Sequence, residues 1–343
     1  MSLNKINTAI LGATGFVGLD LVLILSNHKH VNIKYLCAQR NIGKEINLFD
    51  NRIKKKLPKI SGHKKIIWKN VDLVFLSLPN REAQKIIKKN IKYKHLKFID
   101  LAADFRLKNS YNYKKWYGQK HLAPHLIKSS IYSIAEFVKE KIKKYKIISN
   151  PGCYPTSIQL PLIPLVSNNL INTNNIIIDS KSGYSGAGKN YKKKFTHKNL
   201  EESIFAYGVN SHRHMSELDE QLKLNSKMKI KYIFKPHLIP TFRGILSTIH
   251  LELKKGVSIK KVYNFLIKFH KNNKFIKILK MNKAIGTGDV INTNYCFISI
   301  CKTTVKGKIV IYSVIDNLIK GASGQAVQNM NLMYDFDETT GLI

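Results

Sequence analysis

Ile6 to Leu11 is a short apolar run that stops at Gly12-Ala13-Thr14-Gly15-Phe16-Val17-Gly18, after which Leu19, Val22, Leu23 and Ile24 recur at helical spacing. Strand, glycine turn, helix: a chain that opens this way is committed to a βαβ unit. Glycine is demanded where backbone must come close to a phosphate group at a helix N-terminus. The spacing G-x-x-G-x-x-G departs from the strict G-x-G-x-x-G, and taken alone it equally describes a tight turn with close packing. The next segments keep the same rhythm. A second strand spans Val31 to Ala38, and Val71 to Leu78 is a near-continuous apolar run of the kind buried in a parallel sheet, closed by Pro79. A helix from about Glu82 to Lys89 and strands at Phe98 to Leu101 and Lys146 to Ile148 complete a doubly wound, Rossmann-type pattern.

Beyond residue 152 the grammar changes. Strands at Asn175 to Asp179, Ile230 to Phe234, Gly244 to Leu253, Tyr295 to Cys301 and Lys308 to Val314 have few helices between them, which implies a mixed or antiparallel sheet. Ile259, Val262, Tyr263, Leu266 and Phe269 mark one amphipathic helix, and 321–333 reads as a closing helix. The expected fold class is therefore α/β: residues 1–152 form a nucleotide-binding domain, 153–315 an α+β catalytic domain, and 316–343 a C-terminal helical segment. No run reaches the length of apolar residues that a membrane span needs. The 343 residues suffice for two cores.

The formal charge is +37, from 58 Lys and Arg against 21 Asp and Glu, which invites a nucleic-acid reading. A dedicated binder gathers its cations on one face with stacking aromatics between them. Here they are scattered, as at Lys54-Lys55-Lys56, Lys88-Lys89, Lys143-Lys144, Lys192-Lys193-Lys194 and Lys260-Lys261. A solvated surface explains them, and no nucleic acid is expected as a partner.

Ser149-Asn150-Pro151-Gly152-Cys153-Tyr154-Pro155-Thr156 is the stretch that carries chemistry. Pro151 and Gly152 make a sharp turn, Pro155 suits the first turn of a helix, and Cys153 falls at that helix's N-terminus. Unsatisfied N–H groups and the helix dipole there favour a thiolate, the nucleophile that acyl transfer requires. Packing accounts for Cys37, Cys296 and Cys301. The scarcity of cysteines suits a reducing, cytoplasmic compartment, and no metal-ligand spacing stands out. Pro161 and Pro164 predict a short or kinked helix after Cys153. Of the histidines, His212 and His214 flank Arg213 just ahead of a helix beginning near Ser216, which makes this pair the candidate proton shuttle. The second strand ends Cys37-Ala38-Gln39-Arg40, with no acid to meet the ribose hydroxyls of NAD, and Arg40 is placed to clamp the 2′-phosphate of NADP.

The chain resembles the N-acetyl-gamma-glutamyl-phosphate reductase family, within the semialdehyde dehydrogenase superfamily. The resemblance is carried by residues 12–18, Asp-Leu-Ala-Ala-Asp-Phe-Arg-Leu (100–107), Asn-Pro-Gly-Cys-Tyr-Pro-Thr (150–156), Gly-Tyr-Ser-Gly-Ala-Gly-Lys (183–189), His-Arg-His (212–214), Pro-His-Leu-Ile-Pro (236–240) with Arg243-Gly244, and residues 316–331, in family order. It implies Cys153 as the nucleophile and His212, ahead of His214, as its acid/base partner. It implies an acyl phosphate as the small-molecule substrate, met by Arg106, Asn150 and Arg243. Gly12, Thr14, Gly15, Phe16, Val17, Gly18, Arg40, Leu78 and Pro79 are the residues expected to hold the cofactor NADP(H), and the resemblance implies Ser185, Gly186 and Asn317 near the nicotinamide. It also implies a homo-oligomer, dimer or tetramer, assembled through the second domain, and a C-terminal helix that returns to the first. Aspartate-semialdehyde dehydrogenase is the rival within the superfamily, and a nucleic-acid-binding protein on a reductase fold the rival outside it. Three departures stand out: Asn80-Arg81 where the family usually has His-Gly, Lys189 where Arg is usual, and Thr241 where Met is common.

Overall fold

Successive residues of a strand point to opposite faces, so a strand that is apolar throughout needs cover on both sides. In β1 (Ile6–Leu11), Ile10 packs into one apolar cluster while Ala9 and Leu11 pack into another. In β3 (Leu73–Leu76) the same split sends Leu73 and Phe75 one way and Val74 and Leu76 the other. The computed structural model describes residues 5–189, 191, 199 and 202–343, so the Lys192–Lys194 cluster lies outside the described residues. Strands β1, β2 (Val31–Cys37), β3, β4 (Lys97–Asp100), β5 (Ser130–Tyr132) and β6 (Ile147–Ser149) form a six-stranded sheet in the order β2-β1-β3-β4-β6-β5, parallel throughout. Residues 1–151 and 322–343 make this first compact unit, and 152–321 make the second.

Helices α1 (Phe16–Ser26) and α2 (Glu82–Asn90) cover opposite faces of the parallel sheet: Leu19, Leu21, Val22 and Leu25 enter the first cluster and Ala83 and Ile87 the second. The unit also holds α3 (Ser110–Tyr117) and the short α4 (Ala135–Val138). The N-terminus of α2 carries a strained residue. Arg81 has φ +74, the left-handed region, its N–H donates to Asp104 Oδ1 (2.8 Å), and its Nε is buried with no hydrogen-bond partner among the described residues. The glycine usual in the family meets that backbone without a Cβ clash. Arg81→Gly is therefore expected to stabilise the unit by about 1 kcal/mol, since relief of left-handed strain and of a buried unpaired group outweighs added chain entropy. A thermal melt that shows no rise in midpoint refutes this.

The second unit is built on a seven-stranded mixed sheet. It comprises β7 (Ile176–Gly183), β8 (Phe205–Ala206), β9 (Tyr232–Ile239), β10 (Ile245–Glu252), β11 (Ile276–Ile278), β12 (Cys296–Lys302) and β13 (Lys308–Ile315), in the order β11-β12-β13-β10-β7-β9-β8. Helix α5 (Cys153–Ser167) lies on β10 and β13 and is buried from Tyr154 to Val166. Small side chains let it approach: Ser157 Oγ meets Ser247 Oγ at 2.7 Å, and Ser247 meets Ser180 at 2.8 Å. Beside it pack α6 (Met215–Leu224) and α7 (Ile259–His270).

Helix α5 is not cut short at Pro161 and Pro164 but runs through both prolines. Pro164 has no N–H for the carbonyl of Leu160, but Nε2 of the buried His270, at the end of α7, hydrogen-bonds that oxygen at 3.1 Å. Asn273 Nδ2 lies 3.0 Å from His270 Nδ1, which fits donation to that nitrogen and leaves Nε2 as the donor. A tertiary donor thus replaces the missing helical one. The C-terminal segment opens with a π-helical turn at Ile319–Ser323 before α8 (Gly324–Met333), whose Ala326, Val327, Met330 and Met333 join the core of the first unit alongside α1.

Candidate active site

In the first unit, β1 delivers the chain to Gly12, whose φ of +86 and whose N–H, with that of Ala13, bonded to Cys37 O (2.9 and 3.0 Å) fold the turn back on β2. Glycine is required there on space as well as angle. A Cβ on Gly12 would lie 2.0 Å from Ser77 O, and one on Gly18 would lie 2.1 Å from Gly12 O. The N-cap of α1 is Gly15, which offers no side chain to the first-turn N–H groups. Those donors, with Thr14, Phe16 and Val17 around them, make a cradle suited to the pyrophosphate of a dinucleotide. Arg40 is exposed just past the end of β2, and Leu78 and the exposed Pro79 follow β3, at the same carboxyl edge of the sheet.

The loop after β4 turns around two carboxylates. Asp100 accepts from the N–H groups of Ala102 (3.0 Å) and Phe105 (3.2 Å), and burial, with the neighbouring Asp104 adding to it, pushes its carboxyl up to about 8. Arg106 is buried, donating from Nε to Asn150 O (2.9 Å) and from Nη2 to Leu101 O (3.1 Å). The Asn150 amide is spent on protein groups, Nδ2 on Ala322 O and Oδ1 on Asn329 Nδ2, both at 3.1 Å. These contacts tie β6 to the C-terminal segment.

The second unit opens on the expected nucleophile, Cys153. Gly152 is the N-cap of α5 and Cys153 its first residue, partly exposed in a cleft of about 280 Å³ that Tyr154, Tyr207, His212, Arg213 and His214 also line. Two glycines pack at Cys153, one distant in sequence and one adjacent to it. Gly321 leaves no room for more than hydrogen against it, since a Cβ there would lie 2.8 Å from Cys153 Cβ. On Gly152 a Cβ would come within 2.7 Å of His214 Nε2 and 2.9 Å of Glu217 Oε1, and the Gly152 N–H donates to Glu217 Oε2 at 2.8 Å. An imidazole and a fully buried carboxylate are thus gathered against the residue preceding the thiol.

The two histidines differ. The His214 N–H donates to His212 Nδ1 (3.1 Å), so in neutral His212 the proton is on Nε2. Burial, reinforced by the charge of Arg213, pushes His212 down to about 4. It is therefore a neutral Nε2–H donor at physiological pH. Edge-on aromatic contacts fix the group, Tyr154 against His212 at 5.6 Å and His212 against His214 at 4.8 Å between ring centroids. Tyr207 donates to Tyr154 Oη (3.1 Å), which donates to His237 O (3.2 Å), and burial raises both phenols well above their ordinary range.

Other expected residues bind inward. Asn317 accepts the Gly244 N–H (2.7 Å) on Oδ1 and donates from Nδ2 to Ser185 Oγ (2.9 Å), which ties the turn of Ser185 and the exposed Gly186 to β10. Arg243 faces the buried Asp316 at 3.5 Å. Among the described residues no group of three His, Cys, Asp or Glu side chains is placed to hold a metal ion, and no helix is long and apolar enough to cross a membrane.

Residues 7–145 match the family described as semialdehyde dehydrogenase, NAD binding domain, and residues 153–317 match its dimerisation domain. The chain is 42% identical over 339 residues, 98% of its length and 84% of the relative's, to a probable chloroplastic N-acetyl-gamma-glutamyl-phosphate reductase of Arabidopsis thaliana. It is 42% identical over 342 residues to the N-acetyl-gamma-glutamyl-phosphate reductase of Ehrlichia ruminantium (strain Gardel), covering 99% of this chain and 98% of that one. The chain belongs to the N-acetyl-gamma-glutamyl-phosphate reductase family. Aspartate semialdehyde dehydrogenase II of Vibrio cholerae shares the fold at a TM-score of 0.74 and 18% identity, over 97% of this chain and 99% of that one. The Candida albicans aspartate semialdehyde dehydrogenase, solved with NADP, aligns at a TM-score of 0.69 and 18% identity, over 96% and 99%. Likeness at that identity speaks for the fold alone, and the curated reductases match far more closely in sequence. In this N-acetyl-gamma-glutamyl-phosphate reductase family member, sequence reasoning passed over Glu217, though the spacing His214-x-x-Glu217 places it one helical turn beyond the histidine.

Proposed function

We propose that the chain catalyses the NADPH-dependent reduction of N-acetyl-glutamyl 5-phosphate to N-acetyl-glutamate 5-semialdehyde and phosphate, a step of arginine biosynthesis, through a thioester on Cys153. The observation that carries this is Cys153 at the N-terminus of α5, in one cleft with His212 and His214. His214, rather than the expected His212 that burial keeps neutral, takes the thiol proton, with the Glu217 carboxylate packed against the same Gly152. The thiolate attacks the γ-carbonyl, the carbon–oxygen bond to phosphate breaks, and phosphate leaves. His212, neutral with its proton on Nε2, donates to the oxygen that becomes negative in each tetrahedral state. Bound NADPH supplies the hydride that reduces the thioester, and Gly12 to Gly18, Arg40, Leu78 and Pro79 are the residues proposed to hold it. The resulting thiohemiacetal collapses, the carbon–sulfur bond breaks, and His214 returns the proton to sulfur.

NADP over NAD is supported by Arg40 and by the absence of an acid at the end of β2. A homo-oligomer is supported by exposed apolar residues on the second sheet, where Ile177 and Ile233 pair across β7 and β9 at 39% and 51% exposure. Cysteines that are all free fit a reducing cytoplasm. The test is phosphate-dependent reduction of NADP with N-acetylglutamate semialdehyde and with aspartate semialdehyde. The first is expected to react with at least about a hundredfold higher kcat/KM, since the site must reject an analogue lacking its polar groups, and NADP is expected to outpace NAD. Faster turnover of aspartate semialdehyde refutes the substrate assignment.

A further inference from the structure

An anionic substrate entering the cleft of Cys153 must meet a cation, and among the described residues that line the cleft Arg213 is the one Lys or Arg. Arg243 is only 10% exposed and faces the buried Asp316 at 3.5 Å, so its charge is already engaged. Arg213 is different. It lines the cleft with Cys153, Tyr207, His212 and His214, its side chain is exposed, and no carboxylate pairs with it among the described residues. None of the described cleft-lining residues is an Asp or Glu, so Arg213 supplies a permanent positive charge that no carboxylate of the lining neutralises. Its backbone is fixed at the start of α6, where Ser216 donates to the Arg213 carbonyl from N (3.2 Å) and from Oγ (2.6 Å). A guanidinium carried on a pinned backbone at the mouth of a reactive-thiol cleft is built to hold a tetrahedral oxyanion.

We propose that Arg213 is the ligand of the phosphoryl group: it holds the phosphate of the acyl phosphate while Cys153 attacks, and holds inorganic phosphate when the reaction runs in reverse. This rests on the reading of the site as an acyl-phosphate reductase. In reverse, the Cys153 thioester carbonyl is attacked by a phosphate oxygen, the carbon–sulfur bond breaks, and the thiolate leaves. No oxidant beyond the NADP that formed the thioester is needed. The position of Arg213 beside His212 has a second consequence. Its charge helps keep His212 unprotonated, and a bound phosphate neutralises that charge.

The reverse reaction separates the anions, because phosphate, semialdehyde and NADP are then independent substrates. Arg213→Gln is expected to raise the KM for phosphate by about tenfold to a hundredfold, the worth of one charge-assisted contact, with the KM values for semialdehyde and NADP within about twofold of wild type. Arg213→Lys is expected to recover part of the loss, since it keeps the charge without the fork. Inorganic phosphate is also expected to slow alkylation of Cys153 in the wild type and not in Arg213→Gln, a readout independent of turnover. An unchanged phosphate KM overturns the proposal. So does a rise confined to the semialdehyde, which would put Arg213 on the substrate carboxylate. A wild type that turns over neither semialdehyde with phosphate removes the functional reading itself, and this inference with it.

Discussion

Cys153→Ser is expected to lower kcat for acyl-phosphate reduction by about a thousandfold or more, with NADPH affinity and melting temperature unchanged. The side chains are nearly isosteric, and Cys153 is only partly buried, so nothing in the packing of α5 opposes the exchange. What is lost is the thiolate. Serine's hydroxyl cannot be ionised by a neighbouring imidazole in the ground state, and a serine ester accepts hydride far less readily than a thioester. Two of the other cysteines, Cys37 and Cys296, supply an internal control. Burial pushes the Cys37 thiol up to about 11, against a weaker pull from the Ser61 hydroxyl, and Cys296 is fully buried on its strand. Limited alkylation of the wild type should therefore modify Cys153 ahead of Cys37 and Cys296 and abolish activity in step. Wild-type turnover by Cys153→Ser would sink the covalent mechanism.

The parts of the fold that could be read from sequence are those fixed by local sterics. The turn at 12–18 was legible because its glycines answer clashes of 2.0 and 2.1 Å with backbone oxygens, a demand no neighbour can relax. Strand ends were less legible. The run Val71 to Leu78 pairs as strand only over Leu73–Leu76, because pairing partners decide where a ladder stops. The continuity of α5 through Pro164 could not be read at all, since the donor that rescues Leu160 O comes from a histidine 110 residues away. The site divides in the same way. Cys153 and the histidine pair carry a signature in adjacent residues, whereas Arg243 and Asn150 look like free ligands until the fold sets them against Asp316 and Asn329. Position 81 is the reverse case. An arginine in the left-handed region is invisible in sequence without the glycine usual in the family as comparison.

Gly152→Ala should cost about a hundredfold in kcat/KM without unfolding the protein, the scale expected when catalytic groups shift by about 1 Å. The backbone there has φ −71 and ψ 155, which alanine adopts freely, and its N–H bond to Glu217 Oε2 needs no glycine. Space is what glycine provides. The added methyl would sit 2.7 Å from His214 Nε2 and 2.9 Å from both His214 Cδ2 and Glu217 Oε1, and these are side-chain ends that can swing aside. Relief therefore comes from moving the imidazole and the carboxylate, the two groups assigned to the thiol's proton. The melting temperature is expected to fall by no more than about 4 °C, as for a loss near 1 kcal/mol in a unit of this size, while alkylation of Cys153 slows with turnover. A variant with activity within about threefold of wild type would show that His214 and Glu217 do not prepare the nucleophile, and would return the proton shuttle to His212.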